Sequence, residues 1–110
     1  MKSRPAFLPG FTIKKKTGCG NLYTTLSFCD GKPFEAFTKL GKAGGCATSQ
    51  TESIGRLISL CLRSDLALSD VIKQLKAVNC NRPCDEIASC SDAIGKSLEE
   101  IQADVEAHRK

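Results

Sequence analysis

Seven cysteines, at positions 19, 29, 46, 61, 80, 84 and 90, are the residues of this chain best equipped to do chemistry. Thiolates bind borderline-soft metal ions and exchange disulfides, and in a reducing compartment cysteines at this density serve those ends more often than structural bridges. Their odd number also means that bridges could not use them all. Other reactive types are sparse. The single histidine, His108, stands two residues from the last one given, where solvation is the expected state, and it completes no acid-base constellation. Lys42-Ala43-Gly44-Gly45 lacks the spacing of a phosphate-cradling loop and reads as the entry to a helix.

Whether any of these thiols can act together depends on the elements that carry them. Phe11–Lys16 predicts a short strand and Thr17-Gly18-Cys19-Gly20 a glycine turn. Asn21–Cys29 alternates, with Leu22, Thr24, Leu26 and Phe28 on one face, which predicts a half-buried strand. Asp30-Gly31-Lys32 closes a hairpin, and Pro33–Leu40 predicts a third strand with Phe34 and Ala36 on the face opposite Glu35 and Phe37. After Gly41–Gly45 the period changes to that of a helix. From Cys46 onward Ile54, Leu57, Ile58, Cys61 and Leu62 form an apolar stripe. A second helix opens at Ser69 as N-cap and carries Val71, Ile72, Leu75 and Val78 before Asn79 and Pro83 end it. A third starts at Ser89–Asp92, a capping-box spacing, and turns Ile94, Leu98, Ile101 and Val105 inward. Strands followed by helices predict an α+β fold: a small antiparallel three-stranded sheet, then about three helices covering one sheet face, in a single domain.

Composition agrees with one soluble core. The chain has 110 residues, 41% apolar and 25% charged, with a mean hydropathy of −0.17; these values suit neither a disordered nor a membrane-embedded chain. No run approaches the ~18 apolar residues of a spanning helix, and Pro5, Pro9 and Gly10 interrupt the amino terminus before a secretory apolar region can form. The expectation is a cytoplasmic protein. With no tryptophan and only six aromatic residues the core must be aliphatic, and a domain this small gains from reinforcement. Charge is uneven: residues 1–30 carry five Lys or Arg against one acid, 31–84 eight against four, and 85–110 three against seven. The Lys14-Lys15-Lys16 run is a thin nucleic-acid footprint and reads as a solvated strand end.

Placed on these elements, Cys61 falls on an apolar stripe, where cysteine is a small hydrophobe, and Cys29 ends a strand with no positioned partner. Five cysteines remain. Cys19 sits in a glycine turn, Cys46 and Cys90 at helix amino termini that favour a thiolate, Cys80 follows the second helix, and Cys84 comes four residues later. Two chemistries stay open: a tetrahedral zinc site of four thiolates at ~2.3 Å, or a Cys80–Cys84 dithiol for exchange. Neither spacing is a recognised motif.

Several stretches together resemble one family. Thr17-Gly18-Cys19-Gly20-Asn21-Leu22-Tyr23, Pro33-Phe34-Glu35-Ala36-Phe37 and Gly41-Lys42-Ala43-Gly44-Gly45-Cys46 are similar, in order, to the TSCPD domain found at the carboxyl end of vitamin B12-dependent ribonucleotide reductases. So are Ile54-Gly55-Arg56-Leu57-Ile58-Ser59-Leu60, Ile72-Lys73-Gln74-Leu75-Lys76, Cys80, and Ser89-Cys90-Ser91-Asp92-Ala93-Ile94. The resemblance runs from Arg4 to Leu98, which implies a domain over 4–98 and a helical tail over 99–110.

The resemblance also chooses among the cysteines. The family pattern has four, which fall on Cys19, Cys46, Cys80 and Cys90 and imply the zinc ligands, with Cys84 beside Cys80 as a rival. Cys29, Cys61 and Cys84 are additions, and Ser91 stands where the family has proline. What it implies is either a detached accessory zinc-binding domain of adenosylcobalamin-dependent ribonucleotide reduction, the route to deoxyribonucleotides, or a stand-alone relative with its own partner. The catalytic barrel of those reductases has no counterpart in these residues, so the domain is not expected to be catalytic alone, and the adenosylcobalamin belongs to a partner catalytic subunit. Two other readings remain: a thiol-exchange partner that re-reduces a reductase through Cys80 or Cys84 with Cys90, and a basic nucleic-acid-binding module using Lys14–Lys16 and Lys39–Lys42.

Overall fold

A computed structural model describes residues 4–41, 45–78, 87 and 89–108. Three strands, β1 (Gly10–Thr17), β2 (Gly20–Cys29) and β3 (Lys32–Leu40), form an antiparallel sheet in the order β1-β2-β3. Asp30 and Gly31 both take positive φ, 53° and 78°, as the two-residue turn that matches strand twist requires. Leu22, Thr24 and Leu26 are fully buried and Phe28 is 6% exposed, as the alternation predicts. The alternation breaks down around an irregularity between Ser27 and Phe28, where Ser27, Phe28 and Cys29 are all buried.

Three helices follow: α1 (Gly45–Arg63), α2 (Leu68–Leu75) and α3 (Cys90–Ala107). This is the expected α+β architecture, but the helices do not share one face. α3 crosses the sheet along β1 and β2 and supplies Ala93, Ile94, Leu98 and Ile101 to the core. α1 instead runs along the free edge of β3. There the Ser59 hydroxyl accepts from the Ala36 N–H at 3.0 Å and donates to the Ala36 carbonyl at 2.9 Å, satisfying backbone groups that an edge strand otherwise leaves open. Gly55 permits the close approach: a Cβ there would lie 3.3 Å from Thr38 Oγ1 and 3.6 Å from the Ala36 carbonyl oxygen.

This edge contact changes the buried stripe of α1. Ile58 and Leu62 are buried as expected, but Thr51 and Gly55 join them while Leu57 is 61% exposed. The side facing β3 must be small and polar to bond its backbone, so the apolar stripe alone misplaced the buried face. Cys61 is half-buried rather than enclosed. On β3, Glu35 was expected to face outward with Phe37; Phe37 does, but Glu35 is 3% exposed. Arg4 from the amino-terminal segment covers it, its Nε donating to Glu35 Oε1 at 2.6 Å. Burying a carboxylate requires such a charged partner.

α2 starts one residue before the expected cap. Its N-cap is Ala67, without a side-chain bond, and its first residue, Leu68, is buried. Enclosing a leucine stabilises by ~1.5–3 kcal/mol, against ~1 kcal/mol for a serine cap, so Ser69 is drawn inside the helix. The helix also stops earlier than expected, because Ala77 takes φ 63° and its N–H is held by Asp92 Oδ1 at 2.7 Å. Val78 therefore lies beyond it. The start of α3 is as predicted: Ser89 Oγ accepts from the Asp92 N–H at 3.1 Å. Gly95 lets α2 and α3 meet, since a Cβ there would stand 3.0 Å from Leu75 Cβ. Among the described residues no helix is long and apolar enough to cross a membrane.

Candidate thiol site at one end of the sheet

The β1–β2 turn is built around Thr17, the last residue of β1. Its hydroxyl donates to the Gly20 carbonyl at 2.8 Å and accepts from the Cys19 N–H at 3.1 Å, the local bonding that threonine offers a turn. Gly20 takes φ 125°, a conformation that L side chains disfavour. Cys19 is thereby fixed at the tip of the turn, half-buried against the core.

α3 begins at the same place. Cys90, its first residue, donates its thiol to Thr17 Oγ1 at 3.7 Å and is half-buried against the core cluster that Cys19 also touches. Thr17 thus links two thiol residues 71 positions apart in the chain. No feature of the sequence reading assigned Thr17 this role. The available signal was a threonine ahead of Gly-Cys-Gly, a position suited to side-chain bonding of the turn backbone.

Cys46 reaches this end by a different route. Gly41, just after β3, donates its N–H to the Asn21 carbonyl at 2.8 Å, so the end of β3 lies beside the start of β2. α1 runs back along β3, with Thr38 Oγ1 donating to the Thr51 carbonyl at 2.6 Å and Ser59 bonded to Ala36. From Thr51 to Cys46 is about 7.5 Å along the helix axis, towards the Gly41 end. Cys46, the second residue of α1, is exposed there. The amino termini of α1 and α3 therefore lie at one end of the sheet with the β1–β2 turn.

Of the four cysteines implied as ligands, Cys19, Cys46 and Cys90 are brought to this end; Cys80 lies outside the described residues, as do its rival Cys84 and residues 42–44 of the helix entry. Among the described residues no three His, Cys, Asp or Glu side chains form a group that could hold a metal ion. No disulfide joins Cys19, Cys29, Cys46, Cys61 and Cys90 to one another. Cys29 is buried at the far end of β2, its thiol 3.9 Å from Asp30 Oδ2, and Cys61 lines an apolar groove of about 340 Å³ between α1 and α2. Both are apart from the turn. His108 is exposed beyond α3, its Nδ1 2.8 Å from the Asp104 carbonyl.

The family model described as the TSCPD domain matches residues 2–102, a span that includes every strand, α1, α2 and most of α3. Neither the curated proteins nor the solved structures gave a match. The chain belongs to the TSCPD domain family.

Proposed function

We propose that this chain is a zinc-binding accessory module of adenosylcobalamin-dependent ribonucleotide reduction, with Cys19, Cys46, Cys80 and Cys90 as the ligands and no catalysis of its own. The carrying observation is the convergence of the β1–β2 turn and two helix amino termini at one end of the sheet, each bearing one of these thiols. The fourth is within reach by covalent geometry. Ala77 is held against the first turn of α3 by Asp92, and three residues of chain, at most ~11 Å, separate it from Cys80.

The donor set suits the ion: four thiolates select zinc in a closed, structural geometry. When bound, zinc would cross-link these chain segments, adding its binding energy to folding. The residues do the positioning. Thr17 holds the Cys19 turn and the Cys90 helix start in register, and Asp92 anchors the segment leading to Cys80. Adenosylcobalamin and the nucleotide belong to the catalytic subunit that this module accompanies, an assignment supported by family membership.

Metal analysis of protein purified without added zinc tests the site; a stoichiometric zinc content is expected, and content well below that overturns it. Thiol titration supplies the second readout, since metal-held thiolates react slowly until a chelator is added. Co-purification from its own cells with a cobalamin-dependent reductase tests the partner.

A further inference from the structure

The solvent side of the sheet is used neither by the thiols nor by the helices. The register sets Lys14 of β1 and Lys39 of β3 directly opposite Tyr23 of β2, so the aromatic residue is flanked by a lysine on each neighbouring strand of the open face. In the next row Phe37 pairs with Thr25, and in the row on the other side Lys16 pairs with Asn21. Tyr23 is 37% and Phe37 51% exposed, and as diagonal neighbours their Cβ atoms are about 7 Å apart. Lys14, Lys16 and Lys39 are exposed and make no ion pair among the described residues. Lys15, between them in the chain, points to the other side and pairs with Glu100 of α3.

We propose that this face binds single-stranded nucleic acid, with Tyr23 and Phe37 stacking on bases and Lys14, Lys16 and Lys39 contacting phosphates. Unpaired bases present π-faces to aromatic side chains, and the strand carries a negative charge at each phosphate. A duplex keeps its base faces stacked away, so it meets only the lysines. The inference is independent of the cysteines.

Fluorescence anisotropy of the full 110-residue chain with labelled oligothymidylate and oligouridylate tests it. Saturable binding is expected, falling with salt at a log–log slope of about −2 for the three lysines, with Lys14→Ala reducing that slope by about 0.7. Tyr23→Ala is expected to weaken binding roughly 5- to 150-fold and Tyr23→Phe to retain it; circular dichroism checks the fold, and Phe37→Ala gives an independent second variant. Absence of saturable binding at low salt overturns the proposal. So does binding unchanged by both ring-to-alanine variants, or lysine-dependent binding to phosphatidylserine vesicles with none to either oligonucleotide.

Discussion

Cys90 Sγ donates to Thr17 Oγ1 across 3.7 Å, joining the first residue of α3 to the last residue of β1. The same hydroxyl bonds the Cys19 N–H and the Gly20 carbonyl, and Thr17 is only 4% exposed. A single buried oxygen therefore organises both the turn and the helix start.

Replacing Thr17 with valine keeps the shape and removes this oxygen, leaving the Cys19 N–H without its acceptor. A loss of about 1–3 kcal/mol is expected, read by urea denaturation in a reducing, chelator-containing buffer so that metal does not contribute. Thr17→Ser should recover most of it. Equal stability of the valine variant and the parent would show that the hydroxyl network contributes nothing.

Serine substitutions separate the thiols by role. Cys19→Ser, Cys46→Ser, Cys80→Ser and Cys90→Ser should each lower the zinc content of the purified protein, whereas Cys29→Ser and Cys61→Ser should leave it intact, because those two residues are buried at the opposite strand end or line the α1–α2 groove. Elemental analysis by mass spectrometry reads the difference. A Cys61→Ser variant depleted of zinc would contradict the assignment.

The edge of β3 offers a test of how the sheet is terminated. Ser59→Ala removes both bonds to Ala36 and should cost about 1–2 kcal/mol, with faster amide hydrogen exchange at Ala36. Gly55→Val should cost more, since even its Cβ is 3.3 Å from Thr38 Oγ1 and the added methyl groups must displace α1 from the strand.

At the contact between α2 and α3, Gly95→Ala puts a methyl group 3.0 Å from Leu75 Cβ and 3.2 Å from the Lys76 nitrogen. Overpacking of this kind costs about 1–3 kcal/mol, which should lower Tm measurably. Asp92→Ala acts on the same junction by releasing the Ala77 N–H and the Lys96 ion pair. It is expected to destabilise more than Asp104→Ala, whose carboxylate is solvent-exposed.

The three strands, both hairpin turns and the Ser89 cap were legible in the residues because their causes are local. Side-chain alternation has a period of two, Asp30-Gly31 accepts positive φ, and a cap bonds within one turn of its own helix. The choice of four cysteines came from resemblance, and only three of them fall within the described residues. What spacing did not reveal is that the turn carrying Cys19 and the helix start carrying Cys90 meet through Thr17.

Sequence alone thus determined the element types, their order and the family. Tertiary structure decided that α1 lies along a strand edge, that Glu35 is buried under Arg4, that Leu57 faces water, and that Lys15 pairs with Glu100 of α3. The physical reason is common to all four. Each depends on which distant segment satisfies a backbone group, a charge or an apolar face, and a residue's neighbours in the chain do not contain that partner.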